Sequence, residues 1–114
     1  LKILKLVKNK KTIDTDQIED LKITVRSLNK EDIKNRKLPN QTTGLVITSI
    51  QNNSPLAGSI EVDSIIVEAQ KERIKTIDDL KQITKQVLNS NQKTILLAIY
   101  NNQNQRRYIG IKLD

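Results

Sequence analysis

Three pairs of neighbouring carboxylates are the first residues in this chain that suggest acid/base chemistry. The pairs are Glu31 with Asp32, Glu61 with Asp63, and Asp78 with Asp79. General acid/base catalysis by carboxylates needs two groups whose surroundings hold their pKa values apart within a pocket. The first and third pairs fall in the first turns of predicted helices, where the helix dipole stabilises acids. We therefore interpret them as capping and solvated residues and not as a catalytic pair.

The chain lacks the side chains that most often act as catalytic bases, thiol nucleophiles and metal ligands. The chain contains no histidine and no cysteine. A trypsin-like protease needs a serine nucleophile, a histidine base and a carboxylate in mutual contact, so this chain cannot perform that reaction by itself. Imidazole and thiolate ligands are absent, and the sequence has no Asp-rich calcium loop. We predict no cofactor and no metal.

The charge of the chain raises a nucleic-acid hypothesis. Lys and Arg number 20 against 13 Asp and Glu, which gives a formal net charge of +7. Such a balance is typical of proteins that bind phosphate backbones. However, most basic residues are scattered among acids, and Tyr100 and Tyr108 are the only aromatic residues available for base stacking. We therefore expect no nucleic-acid partner. A small basic nucleic-acid binder ranks third, below the two functions described below.

Length and hydropathy indicate one compact, aliphatic domain. The 114 residues suit a single domain with a short flanking element, and the 36% of apolar residues are almost all Ile, Leu and Val. There is no apolar run of about 18 residues, so we expect no direct membrane insertion. The chain starts within a strand-like pattern and contains no methionine. We therefore interpret it as a piece of a longer protein.

Strand and helix patterns alternate along the sequence. Residues 2–14 predict a hairpin, 15–19 read as a polar link, and strict alternation predicts a half-buried strand over 21–25. The elements expected after it are a short helix capped by Asn29, a strand over 44–50, a helical turn begun by Ser54 and Pro55, a strand over 65–69, a long helix begun by Thr76, and a hairpin over 94–113. Thr76 and Asp79 form a capping-box pattern. This order predicts a mainly β α+β fold, a partly open antiparallel sandwich or barrel of five to six strands, with one long and one or two short helices.

Several segments in fixed order carry a family resemblance. They are DLKITVRSL (20–28), Leu38-Pro39, GLVITSI (44–50), SPLAG (54–58), VDSII (62–66) and IKTIDDLKQI (74–83), followed by the last hairpin. Together they resemble a PDZ domain of the bacterial HtrA/Do-like serine proteases, and the C-terminal PDZ domain in particular. The resemblance implies a peptide-binding module of a trypsin-like serine endopeptidase, located in the periplasm or cell envelope of a bacterium.

The resemblance also implies a binding groove between a strand and the long helix. An extended or C-terminal peptide would add to the strand edge by backbone hydrogen bonds. Leu21 and Ile23 would line a pocket apart from the core, and backbone N–H groups around Lys22 would hold a carboxylate. The implied peptide-binding residues are Leu21, Lys22, Ile23, Thr24, Val25, Ile77, Lys81 and Thr84. Leu80, Ile83 and Val87 would face the core, and helical spacing alone leaves Ile77 open between groove and core.

Three departures from the family pattern keep a second function open. Lys22 stands where the carboxylate-binding loop usually has Gly, Val62-Asp63 replaces the usual Gly-Asp, and the segment from Ser54 to Asp63 is one residue short. Expected partners are peptides or unfolded-protein segments and other protomers of the parent protease. The alternative is a structural PDZ-fold module with a degenerate groove that holds an oligomer together.

A weak internal similarity bears on the domain boundary. Residues 3–13 and 95–113 share one plan of apolar strand, polar turn and apolar strand. Either residues 1–18 end a preceding PDZ domain, or two hairpins resemble one another by chance. The first interpretation predicts a hairpin and link over residues 1–18 and a PDZ domain over 19–114.

Overall fold

The computed structural model describes residues 15–113, which form seven strands and two helices. The strands are β1 (Thr15–Ile18), β2 (Ile23–Ser27), β3 (Leu45–Ile50), β4 (Ile65–Ala69), β5 (Glu72–Arg73), β6 (Thr94–Tyr100) and β7 (Arg106–Lys112). The helices are α1 (Lys30–Asn35) and α2 (Ile77–Leu88). The predicted hairpin over residues 2–14 lies outside the described residues.

All the strands belong to one open antiparallel sheet. Its order is β1-β2-β3-β4-β6-β7, and β5 pairs with β4. The predicted mainly β α+β class is confirmed. The strand count exceeds the expected five to six because two short polar strands, β1 and β5, were not predicted.

Both faces of the central strands are buried, since each face packs on a separate apolar cluster. Successive side chains of a strand point to opposite faces, and β3 places Leu45 and Ile47 in the main cluster but Val46 in the second. The main cluster includes the apolar stripe of α2, whereas Ile33 of α1 packs against the second. This explains why the sequence shows continuous apolar runs in β3 and β4.

Helix α2 forms as its sequence predicts. The Thr76 side chain accepts the backbone N–H of Asp79 at 3.1 Å, and Asp79 Oδ2 accepts the N–H of Thr76 at 3.0 Å, so the capping box is complete. The buried residues recur at helical spacing. They are Ile77, Leu80, Ile83, Thr84 and Val87.

Gly44, just before β3, is required by a close backbone approach. A Cβ at this position would lie 2.6 Å from the carbonyl oxygen of Ile66 on β4, nearer than any real Cβ comes. The glycine that opens this strand in the sequence therefore permits β3 to lie against β4.

One local prediction was wrong. Residues 15–18, interpreted as part of a polar link, form β1, because the open edge of β2 pairs with them and Ile18 is buried. The helical turn expected after Ser54 and Pro55 is present as a single turn over residues 55–59, in which the Leu56 carbonyl accepts both the Ser59 and Ile60 N–H groups, and it does not continue into a helix. Among residues 15–113 no helix is long and apolar enough to span a membrane.

Candidate peptide-binding groove

Strand β2, to which the family resemblance assigned peptide binding, is paired along both edges. One edge pairs with β3, with a register shift between Thr24 and Val25. The other edge pairs antiparallel with β1, from Thr15 opposite Arg26 to Ile18 opposite Ile23. Helix α2 contacts β1 as well as β2. Consequently the chain's own residues 15–18 lie where a strand-adding peptide would lie.

The apolar end of this groove is filled by Ile18. Ile18 is 1% exposed, and it belongs to the same cluster as Leu21, Ile23 and Val25, each 0% exposed. The expectation that Leu21 and Ile23 line a pocket apart from the core was wrong. Both side chains are part of the main core, because Ile23 is on the inward face of β2 and Leu21 is buried in the turn just before this strand.

The loop between β1 and β2 uses the N–H groups that the resemblance assigned to a carboxylate. The N–H of Leu21 donates to the Ile18 carbonyl at 3.1 Å, and the N–H of Lys22 donates to the Glu19 carbonyl at 3.2 Å. Lys22 adopts a φ of 55°, in the left-handed region that favours glycine. The backbone thus shows why a glycine would suit this position, and Lys22 occupies it at a conformational cost.

Ser54 supports this loop from behind, a role that the sequence analysis missed. Its hydroxyl donates to the Leu21 carbonyl at 2.6 Å and accepts the N–H of Leu56 at 3.0 Å. The N–H of Gln51 donates to the Lys22 carbonyl at 3.0 Å. The sequence signal was Ser54-Pro55, but helix capping was the more ordinary interpretation of that pair.

Helix α2 supplies the second wall, with one charged side chain at its rim. Ile77 and Thr84 are buried at 6% and 0% exposure, and the Thr84 hydroxyl donates to the Leu80 carbonyl at 2.7 Å. Lys81 instead reaches β1, where its Nζ lies 2.6 Å from Asp16 Oδ2. The hydrogen bond to Lys81 lowers the pKa of Asp16, and the same bond raises the pKa of Lys81.

Helix α1 is tied to the other end of β2. Arg26 donates to both carboxylate oxygens of Asp32, at 2.7 and 2.9 Å. Asp32 also accepts the N–H of Asn29 in a complete capping box. The hydrogen bond from Arg26 holds the pKa of Asp32 below its usual value.

Two of the six paired carboxylates have structural roles. Asp32 and Asp79 serve capping boxes, as their positions in the sequence predicted. Within residues 15–113, no group of three or more acidic side chains is placed to hold a metal ion.

Comparison with known proteins bears on the fold. No family model matches the chain, and no curated protein matches it. A solved structure, an HtrA-type protease AlgW with decapeptide, matches with a TM-score of 0.61 and 18% identity over 88% of this chain. The fold is PDZ-like. The match spans 29% of the length of that protease chain.

Proposed function

We propose that this domain is a peptide-binding, regulatory PDZ module of an HtrA/Do-like serine protease. It captures extended or C-terminal peptide segments by strand addition between β2 and α2. Its partners are peptides or unfolded-protein segments, together with neighbouring protomers of the parent protease. Its place is the periplasm or cell envelope of a bacterium.

One observation carries this proposal. The edge of β2 beside α2 accepts an extended antiparallel strand and buries its last apolar side chain, that of Ile18. Backbone pairing along an edge, with pockets for alternate side chains, is the mode by which a strand-adding site takes a peptide. The HtrA-type protease that shares the fold is described with a decapeptide.

Proteolysis would belong to a part of the parent protein outside this sequence. Without histidine, the chain cannot form the Ser-His-Asp triad of a trypsin-like protease. The role of the domain would be to deliver or sense substrate segments for a separate active site.

Amide chemical-shift mapping of the full chain tests the proposal. A peptide with an apolar C-terminal residue should shift resonances of residues 20–27 and 77–88 saturably, with a dissociation constant in the roughly micromolar to millimolar range. The same peptide with an amidated C-terminus and one ending in lysine are the matched controls. Absence of saturable shifts at millimolar peptide would contradict peptide binding.

A structural module is the second candidate function. It is favoured by the filled groove, since the N–H groups of Leu21 and Lys22 already have acceptors. In that case peptides would leave the spectrum unchanged while sedimentation would report stable association of the chain. Association without peptide binding would select this function over the first.

A further inference from the structure

Strand β1 reproduces each feature expected of a peptide bound in this groove. It is extended and antiparallel to β2, and its last side chain, Ile18, is buried. The Ile18 carbonyl accepts the N–H of Leu21, where a terminal carboxylate would otherwise accept it. Two residues earlier, on the same face of the strand, Asp16 meets Lys81 of α2.

We propose that Thr15–Ile18 is a built-in ligand of the groove, which an incoming peptide must displace. Its sequence identifies the class of peptide that competes with it. That class has a C-terminal aliphatic residue and an acidic side chain two positions before it. This inference rests on the proposed function, whose site it specifies.

The short connection makes the built-in ligand a strong competitor. Residues 19–22 join Ile18 to its pairing partner Ile23, and a short tether gives an effective concentration on the order of millimolar. A free peptide binds only the fraction of molecules whose groove is open, so its apparent affinity falls by that fraction.

Displacement remains feasible because β1 is short and a single one of its side chains is buried. Thr15, Asp16 and Gln17 are exposed, and Ile18 alone of the four residues is buried. A peptide of the same class would replace the backbone pairing, the buried side chain and the ion pair one for one. Its free carboxylate would add a charged acceptor for the N–H of Leu21.

Lys81 is the residue that selects the acidic side chain. Its Nζ lies 2.6 Å from the Asp16 carboxylate, and the carboxylates of Asp78 and Glu19 nearby also favour the positive charge of Lys81. Asp16 is half-exposed, at 51% of its side-chain surface, and exposed ion pairs contribute little. Selection at this position should therefore amount to a roughly two- to fivefold preference.

A reversible crosslink tests the displacement. Gln17 and Thr24 are directly opposed across β1 and β2 and lie outside the core, and opposed strand residues meet the spacing of a disulfide. In the variant Gln17→Cys/Thr24→Cys, a peptide ending in Thr-Asp-Gln-Ile should bind the reduced protein. The oxidised protein should bind it at least about tenfold more weakly.

The matched control places a disulfide in a distant hairpin. Thr94 and Lys112 are opposed in β6 and β7, and both are exposed. Oxidation of Thr94→Cys/Lys112→Cys should leave peptide affinity unchanged. The natural chain has no cysteine to interfere. Failure of the two thiols introduced in β1 and β2 to join within one chain would contradict the position of β1 and overturn the proposal.

Charge reversal tests the ligand class. The natural protein should prefer Thr-Asp-Gln-Ile over Thr-Lys-Gln-Ile by about two- to fivefold, and Lys81→Glu should reverse this order. Lys85→Glu, an exposed change one turn further along α2, should preserve it. Equal binding of both peptides by both proteins would remove Lys81 from the proposal.

The outcomes separate this inference from the proposed function. Equal binding at β2 by oxidised and reduced protein would overturn the built-in ligand and leave peptide binding intact. If neither the oxidised nor the reduced form binds the peptide, and the control variant does not bind it either, both the built-in ligand and the proposed function are overturned.

Discussion

The two outer strands of the sheet, β1 and β7, are edges of opposite character. β7 runs for seven residues against β6, and only Ile111 of the strand is buried. Its exposed side chains include Arg106, Arg107 and Tyr108, the last 59% exposed. β1 has only four residues, yet Ile18 reaches the main core and Asp16 reaches helix α2.

The difference shows that the element beside an edge decides what that edge can contact. Any edge strand offers backbone donors and acceptors, and charged side chains along it discourage pairing with other chains. β7 presents such charges. At β1 the neighbouring helix adds buried Ile77 and rim Lys81, so that edge contacts side chains as well as backbone.

The largest expected effect is the truncation of Ile18. Ile18→Ala removes buried methyl groups from the main core and should reduce the free energy of unfolding by about 2–4 kcal/mol. Tyr108→Ala on β7 should change it by less than about 0.5 kcal/mol, because that side chain is exposed. Urea denaturation measures both, and equal losses at the two edges would contradict the comparison.

Removal of Asp32 should have the next largest effect. Asp32→Ala breaks the two hydrogen bonds from Arg26 on β2 and half of the α1 capping box, and should cost about 2 kcal/mol at neutral pH. The exposed neighbour provides the control, since Glu31→Ala should cost less than about 0.5 kcal/mol.

The contribution of Asp32 should also disappear in acid. Its pKa is lower in the folded protein than the ordinary value of about 3.9, so its stabilisation is present above that value. It is lost as pH falls through the lower, folded pKa. The stability difference between natural protein and Asp32→Asn should thus be constant near neutrality and shrink below about pH 4. A difference that grew on acidification would contradict this sign.

A glycine at position 22 should stabilise the loop at the occupied edge. Lys22→Gly relieves a φ of 55° and should raise the free energy of unfolding by about 1 kcal/mol. Lys71→Gly, at a φ of 66° in the turn between β4 and β5, should give a similar gain. Thermal unfolding compares the two, and only the first substitution should alter peptide affinity. A destabilised Lys22→Gly would show that the lysine side chain supports the loop.

The smallest effect is expected at the exposed charges of β7. Arg106 pairs with Glu68 at 3.0 Å, with 39% and 27% of the two side chains exposed. Arg106→Gln should cost less than about 1 kcal/mol, and the loss should fade in high salt. A larger loss that persisted in high salt would mean that the β7 edge carries a specific structural role.

The sequence predicted the elements whose signals are local. The capping box at Thr76 and the alternation of Leu21, Ile23 and Val25 were sufficient for α2 and β2. β1 was missed because Thr-Asp-Gln-Ile contains one apolar residue, and its strand character depends on the edge that it pairs with. β5 was missed for a similar reason, since Glu72 and Arg73 are both exposed.

Side-chain contacts between residues far apart in the chain could not be predicted from the sequence. Arg36 donates to the carbonyls of Asp63 and Asn101, each at 2.6 Å, and to Asn104 Oδ1 at 2.7 Å. It thereby joins α1 to two distant loops. No pattern in the sequence distinguishes this arginine from a solvated one. The Asp16–Lys81 pair, 65 residues apart, was hidden likewise, although Lys81 had been assigned to the groove.

The positions of the two tyrosines determine which part of this domain optical spectroscopy can monitor. Tyr100 and Tyr108 both lie near Arg106, with ring centres 5.9 and 5.7 Å from its guanidinium carbon. The chain has no tryptophan and no phenylalanine. Near-ultraviolet absorbance and intrinsic emission therefore come from the β6–β7 end, and the aliphatic groove contributes no chromophore. A tryptophan carried into the groove by a peptide would be the sole indole present, and its emission would report that event without an indole background from the protein.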